Sequence, residues 1–351
     1  MRDKILVIGG HGHVGNVIVE SLLKRGVSNI VIGGRNEQKM KEYVNQVNSC
    51  LTYQLIDVEG TITSAYLENI RMVVMCINQN NTEFVKYCIA EKIDYVDISA
   101  NSDFMEKVHQ LPKKQDVSII THVGIAPGVT NLMVKKYVSM TSQKEKDITI
   151  DVILGIGDAH GKAAIEWTFS QMNSNYLLGD EKIESFKRER NVQFSTPIGM
   201  KKTYSFNFAD QHVLRKEYQE TLVTTYLGFD VVFISKILFY LKKWNLLRIL
   251  SSSKVISLLQ KIMNKQLVGS GLYALKVSNS NNSDPNAIVL YGKKEAEATG
   301  EVAAFVIKKL LDTKKKYGIT TINSVCSLED VLQEVSVIME GGPFNNEKRL
   351  A

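Results

Sequence analysis

The first third of the chain is built from short apolar runs separated by helical periodicity. Residues 4–8 (Lys4-Ile5-Leu6-Val7-Ile8), 29–32 and 72–77 each hold three or more consecutive aliphatic or sulfur-bearing side chains. Continuous runs of this length are what strands buried on both faces of a parallel sheet show. Further strands are predicted at 51–57, 94–99 and 117–121, and helices between them at 16–25, 37–48, 64–68, 82–92 and 102–110, with a break at Pro112. Six strand–helix steps in succession specify a doubly wound parallel sheet with right-handed crossovers.

From residue 147 onward the period changes to two. Residues 148–154, 203–208 and 221–226 alternate, and further strands are predicted at 269–276 and 287–293, around the polar loop 279–286. Strands that face water on one side are expected of a mixed or antiparallel sheet. Helices at 299–315 and 328–339 then close the pattern. The expected architecture is therefore α/β: a doubly wound parallel sheet over 1–125, an α+β domain with a mixed sheet over 126–296, and C-terminal helices over 297–351 packing back on the first domain. A chain of 351 residues is long enough for two domains.

Composition, 44% hydrophobic and 23% charged, changes little in this picture. The apolar runs are shorter than the roughly 20 residues of a membrane span. No leader with a separate apolar region precedes the first strand, so none is expected. Cys50, Cys76, Cys88 and Cys326 show no paired ligand spacing; they read as reduced thiols of a cytoplasmic protein rather than metal ligands or disulfide partners. The net charge is +6, and residues 231–265 carry Lys236, Lys242, Lys243, Arg248, Lys254, Lys261 and Lys265 with no acid. The rest of the chain is close to neutral, so a nucleic-acid partner is not expected.

Candidate chemistry begins where the first strand ends. Gly10-His11-Gly12-His13-Val14-Gly15 leaves the strand and enters a helix. In that setting Gly10 permits a tight turn, Gly12 lets the backbone approach a pyrophosphate, and Gly15 lets the helix pack on the strand, while the N–H groups of His13 and Val14 sit at the helix N-terminus. This is the dinucleotide-binding pattern of a Rossmann domain. A carboxylate after the second strand favours NAD; here the position is Arg35, preceded by Gly33-Gly34 and followed by Asn36. A guanidinium can pair with the 2′-phosphate of NADP, so NADP(H) is the expected cofactor. The other reading is a solvated loop arginine. Asp57, at the end of the third strand, is placed near the adenine.

The ordered patches Gly10 to Gly15, Gly34-Arg35-Asn36, Tyr95-Val96-Asp97-Ile98-Ser99 and Gly124-Ile125-Ala126-Pro127-Gly128-Val129-Thr130-Asn131 resemble those of the saccharopine dehydrogenase and saccharopine reductase superfamily. Weaker patches follow at Ala298-Thr299-Gly300 and Ser327 to Leu332. The resemblance implies an NADP-linked oxidoreductase with a Rossmann domain and an α/β second domain, often dimeric, acting on a C–N or related unsaturated bond. The chain departs from the family where Asn78 is followed by Gln79-Asn80 instead of Gly-Pro, and Ser99 by Ala100-Asn101 instead of Gly-Glu. These departures fall where nicotinamide and substrate meet.

Ligands of an open parallel sheet sit beyond the carboxyl ends of its strands, near the point where strand order reverses. That rule selects Asn78, Ser99 and His122, with Asn78 grouped with the cofactor and Ser99 and His122 with the chemistry. His122 could supply the proton that accompanies hydride transfer; the plainer reading is a strand-end histidine bonded to a backbone carbonyl. Lys162, after the glycine-rich turn 155–161, could hold a substrate carboxylate. Segment 227–265 reads as a helix pair capping the substrate pocket or making a dimer contact, and more sharply as a membrane-surface helix facing anionic lipid. A short-chain dehydrogenase is excluded by the absence of Tyr-x-x-x-Lys. An NADPH-binding regulatory or redox-sensing protein remains the competing class.

Overall fold

The computed structural model describes residues 2–47, 50–112, 116–141, 147–158, 162–195, 197–247, 255–257, 269–280 and 284–341. In chain order the elements are β1 (Lys4–Ile8), α1 (His13–Lys24), β2 (Ile30–Gly34), α2 (Glu37–Val47), β3 (Thr52–Leu55), β4 (Ile70–Met75), α3 (Glu83–Ala90), β5 (Asp94–Asp97), α4 (Ser102–His109), β6 (Ser118–Thr121), α5 (Thr130–Met140) and β7 (Asp147–Leu154). Then come α6 (Lys162–Asn173), β8 (Asn175–Leu178), β9 (Glu181–Glu184), β10 (Glu189–Gln193), β11 (Met200–Ser205), α7 (Ala209–Glu217), β12 (Leu222–Phe229) and α8 (Val232–Lys243). The chain closes with β13 (Leu272–Asn279), β14 (Ile288–Lys293), α9 (Glu295–Asp312), β15 (Gly318–Thr321), α10 (Leu328–Glu334) and β16 (Ile338–Gly341).

The chain forms two compact units. The first holds Met1–Leu132 and Thr299–Val335; the second holds Met133–Ala298 and takes up the chain again from Ser336. The first unit carries a seven-stranded sheet in the order β15-β6-β5-β4-β1-β2-β3, with every pairing parallel. The strand order reverses between β1 and β4, the switch point at which such sheets bind ligands. Ile5 to Ile8 and Met72 to Met75 are almost wholly buried, as their unbroken apolar runs require of central strands. In α1, Ile18, Val19 and Leu22 form the buried stripe. Gly26, at φ +80°, ends that helix because a left-handed residue satisfies the last carbonyls without a Cβ clash.

The second unit carries a mixed sheet in the order β10-β11-β12-β7-β13-β14-β16 and a separate β8-β9 hairpin. Only β12 and β7 pair in parallel; the other neighbours are antiparallel.

Three differences from the sequence reading concern the C-terminal part. Residues 318–321, between the helices expected at 299–315 and 328–339 and not predicted as a strand, form the seventh strand of the first sheet, beside β6. The helix expected at 328–339 stops at Glu334, where Val335 turns out of helical geometry (φ −116°, ψ 85°). Residues 338–341 then pair with β14 in the second sheet, so the end of the described chain does not consist of helices on the first unit. Strand β14 would otherwise present an open row of N–H and C=O groups, and β16 covers it. Of the basic segment 231–265, α8 is described, but residues 248–254 and 258–268 lie outside the described residues.

Candidate cofactor and catalytic site

The site is built on the carboxyl ends of β1, β2, β4, β5 and β6. At the end of β1 the chain turns through Gly9 at φ +79°, a conformation that favours glycine. Gly9 N donates to Gly33 O (2.8 Å) and Gly12 N to Gly9 O (2.8 Å), which closes the loop. A Cβ on Gly15 would overlap the Gly9 carbonyl and lie 2.8 Å from Gly10 Cα, so only glycine allows α1 to approach the strand. The tight-turn role read for Gly10 thus belongs to Gly9. Gly10 is instead confined by Ile32 Cδ1, 3.0 Å from where its Cβ would be.

Helix α1 begins at His13 with no side chain capping it. The first-turn N–H groups of a helix have no intrahelical partner, and here Gly12 and His13 are exposed. A loop without side chains on Gly10 and Gly12, followed by an uncapped helix start, fits a pyrophosphate.

At the end of β2, Arg35 and Asn36 are both exposed. Asn36 Oδ1 accepts the Lys39 N–H (3.0 Å), so Asn36 starts α2 while its amide nitrogen is left for another acceptor. The space above Gly33 and Gly34 is not open. Leu6 and Ile8 lie 3.1 Å from the Cβ position of Gly33, and the His11 ring lies 3.0 Å from that of Gly34. Sequence reasoning passed over His11. Its Nδ1 is buried without a hydrogen-bond partner, and its pKa is pushed below the ordinary value by burial first and by the Lys39 ammonium second. His11 thus packs against the end of β2 within Coulombic reach of Lys39, and the exposed Arg35 and Lys39 are donors suited to a phosphate. The adjacency of β1 and β2 in a parallel sheet was the signal that could have found His11, since it sets the two following loops side by side.

Asp57 is exposed at the end of β3, where its Oδ1 accepts the Glu59 N–H (3.1 Å). Glu59 reaches the loop after β4, accepting from Asn80 N (2.7 Å) and Asn81 Nδ2 (3.0 Å). Asn78 is exposed at that loop, whereas its neighbour Gln79 is 2% exposed. Gln79 Nε2 donates to Tyr95 Oη (2.6 Å), which donates to Asp97 Oδ2 (2.5 Å). Asp97 Oδ1 accepts the Ser99 N–H (2.7 Å). Burial raises the Asp97 pKa, and the Tyr95 hydroxyl works against that shift. This buried chain ties the loops after β4 and β5 together; Gln79 is a second residue that sequence reasoning missed. The Gln79 amide thereby holds the loop after β4.

His122 follows β6 with φ +57° and is 2% exposed. Its Nδ1 lies 2.8 Å from Thr121 Oγ1, which lies 2.8 Å from His109 Nε2. The two imidazoles meet edge to face with centroids 5.8 Å apart. The Gly124 to Asn131 patch then folds back across the His122 backbone: Gly128, at φ +140°, passes with its Cβ position 3.0 Å from His122 O. Asn131 Oδ1 accepts the Gly128 N–H (2.9 Å) and Thr299 Oγ1 the Ile125 N–H (3.3 Å). The first unit therefore gathers Gly10, Gly12, His13, Val14, Gly15, Arg35, Asn36, Asp57, Asn78, Ser99 and His122 at the carboxyl ends of its strands. Lys162 begins α6 in the second unit, and its side chain lies outside the described residues.

Comparison with known proteins adds to this geometry. Residues 5–120 match the family described as saccharopine dehydrogenase NADP binding domain. Over that stretch the chain is similar to the NADP-binding domain of saccharopine dehydrogenases. The match spans β1 to β6 and so covers the glycine loop, Arg35 and the buried Gln79–Tyr95–Asp97 chain. Beyond that domain, the whole fold is similar to apo saccharopine dehydrogenase (L-Glu forming) from Saccharomyces cerevisiae. The TM-score is 0.56 at 12% identity, covering 95% of this chain and 97% of that one. Lower similarity is found to the WlbA dehydrogenase of Thermus thermophilus (TM-score 0.43, 9% identity, 95% and 92% covered) and to biliverdin reductase from Synechocystis (TM-score 0.39, 11% identity, 96% and 97% covered). No curated protein sequence matches the chain. No helix among the described residues is long and apolar enough to cross a membrane.

Proposed function

We propose that the protein is an NADPH-dependent oxidoreductase that transfers a hydride to or from a C–N, or related C=O or C=C, bond of a small metabolite. The observation that carries this reading is the uncapped, glycine-lined start of α1 at the β1/β4 switch point, with Arg35 at the end of the neighbouring strand. The N–H groups at the start of α1, those of His13 and Val14, would hold the pyrophosphate above the side-chain-free Gly10 and Gly12, and Arg35, with Asn36 and Lys39 beside it, would hold the 2′-phosphate. Asp57 would serve the adenosine end and Asn78 the nicotinamide end.

The nicotinamide ring, when bound, supplies or accepts the hydride. The chain must orient the substrate and manage one proton. His122 is assigned the proton, because its ring nitrogen is hydrogen-bonded to Thr121, whose hydroxyl also contacts His109 and so connects two titratable rings. Ser99 is assigned to orient the substrate at the end of β5.

Oxidation of NADPH with a panel of imines, enones and carbonyls tests the reading. His122→Gln is expected to keep NADPH affinity and to lower turnover by about 10²- to 10⁴-fold. Full turnover in that variant removes His122 from the chemistry. Tight NADPH binding without turnover on any panel member would favour a regulatory binding protein.

A further inference from the structure

Helix α8 has two sides with different partners. Toward the second unit's sheet, Ser235 and Leu238 are buried, and the Ser235 hydroxyl accepts the Phe229 N–H (2.9 Å). Phe239 stacks on Tyr204 (5.0 Å between centroids), which stacks on Phe186 (4.7 Å). The helix entrance is pinned by Asp230, whose carboxylate accepts from Val231 N (2.9 Å) and Ile156 N (3.0 Å). Among the described residues, α8 packs on this unit's sheet through that side.

The other side carries Phe233, Ile237, Tyr240 and Trp244, all exposed; Phe233 is 70% and Trp244 63% exposed. Their spacing of four, three and four residues puts them on one narrow stripe, since about 3.6 residues make a turn. Tyr240 and Trp244 touch, with ring centroids 5.8 Å apart. Lys236 and Lys243, both exposed, lie one turn apart from members of the stripe and border it on one edge. Lys242 points elsewhere, within Coulombic reach of Glu184. No acid occurs anywhere in residues 231–265.

A contiguous row of large exposed apolar side chains marks a contact surface. Two features choose its occupant. Phe, Tyr and Trp together are the residues that settle at the boundary between lipid headgroups and acyl chains. A lysine border on a segment with no carboxylate of its own complements an anionic surface, whereas an antiparallel two-fold pairing of this stripe with a second copy would bring like-charged lysine rows together.

We propose that α8 docks the protein on anionic lipid bilayers. Phe233, Ile237, Tyr240 and Trp244 enter the headgroup boundary, and Lys236 and Lys243 contact anionic headgroups. The inference stands on α8 and does not depend on the assigned reaction.

The test is co-sedimentation of the full-length protein with phosphatidylcholine vesicles containing roughly one-third phosphatidylserine, against vesicles of phosphatidylcholine alone. The expected result is binding to the anionic vesicles at low salt that weakens as salt rises. Phe233→Ser with Trp244→Ser is expected to lower the partition by at least about tenfold, as loss of inserted apolar area requires. Lys236→Glu with Lys243→Glu is expected to abolish the preference for phosphatidylserine. The chain has two tryptophans, and Trp167 lies against Phe206 in the second unit. A Trp167→Phe variant therefore isolates the Trp244 emission, which is expected to shift to the blue on adding anionic vesicles. NADPH affinity is measured in parallel and is expected to be unchanged in every variant, which separates this proposal from the cofactor reading. Absence of binding to anionic vesicles at low salt overturns the proposal, as does equal binding to neutral ones or binding that survives both double variants. Concentration-dependent dimerisation in the ultracentrifuge that the same variants dissolve would assign the stripe to a second copy instead and overturn it likewise.

Discussion

At the scale of single residues, the site depends on backbone that side chains must leave free. Gly15 has the least freedom, since a Cβ there would collide with the Gly9 carbonyl and crowd Gly10 Cα. Gly15→Ala is expected to lower stability by about 1–3 kcal/mol, as an overpacked contact does, and to weaken NADPH binding by moving the helix start. Thermal unfolding and fluorescence titration of the same variant check both effects. His11 sets a pH dependence. Its folded pKa is lowered, chiefly by burial and then by Lys39, so the folded state favours the neutral ring. Its contribution to stability is therefore complete above the unfolded histidine value, fades as pH falls through that value, and levels off below the folded one. Compared with the wild type, His11→Gln is expected to lose less stability between about pH 8 and pH 5 in urea unfolding. An identical slope in the two proteins would contradict the burial of His11 against Gly34.

At the scale of elements, legibility follows from how each element is specified. Strands β1 and β4 were readable because central parallel strands announce themselves as continuous apolar runs. Strand β16 was not, because four residues at an edge are specified by the open backbone of β14 rather than by their own periodicity. Strand β15 is equally short. Within the candidate site, the placement of the glycine loop and of Arg35 at strand ends was readable because each stands at a fixed offset from an apolar run. His11 and Gln79 were not, because each acts through a contact between loops that only the order of strands brings together. The Ser327 to Leu332 patch has a local explanation. The Ser327 hydroxyl accepts the Asp330 N–H (3.1 Å), and Asp330 Oδ2 accepts the Ser327 N–H (3.0 Å), a reciprocal cap on α10. Asp330 Oδ2 also accepts from Lys309 Nζ (2.6 Å), which ties α10 to α9. Ser327→Ala is expected to cost about 1 kcal/mol, read as a lower denaturant midpoint with an unchanged slope.

At the scale of the molecule, one sheet order and one basic side chain carry the functional reading. The order β3-β2-β1-β4-β5-β6 brings the loops after β1 and β2 together on one side of the switch point, and those after β4, β5 and β6 on the other. The first group holds donors for phosphates; the second holds the buried Gln79–Tyr95–Asp97 chain and the His122–Thr121–His109 series. From Thr299 onward helix α9 belongs to the same unit: a Cβ on Gly300 would lie 2.6 Å from Val17 of α1, so α9 packs directly on the helix that follows the glycine loop. The second unit contributes a mixed sheet and the exposed face of α8. The most direct test of the whole reading is a titration of the wild type and of Arg35→Ala with NADPH and with NADH. The expected result is that the wild type prefers NADPH and that Arg35→Ala loses about ten- to a hundredfold in NADPH affinity, as removal of a charge-assisted phosphate contact implies, while its NADH affinity stays the same. Equal affinities for the two cofactors in the wild type, unchanged by the substitution, would contradict it.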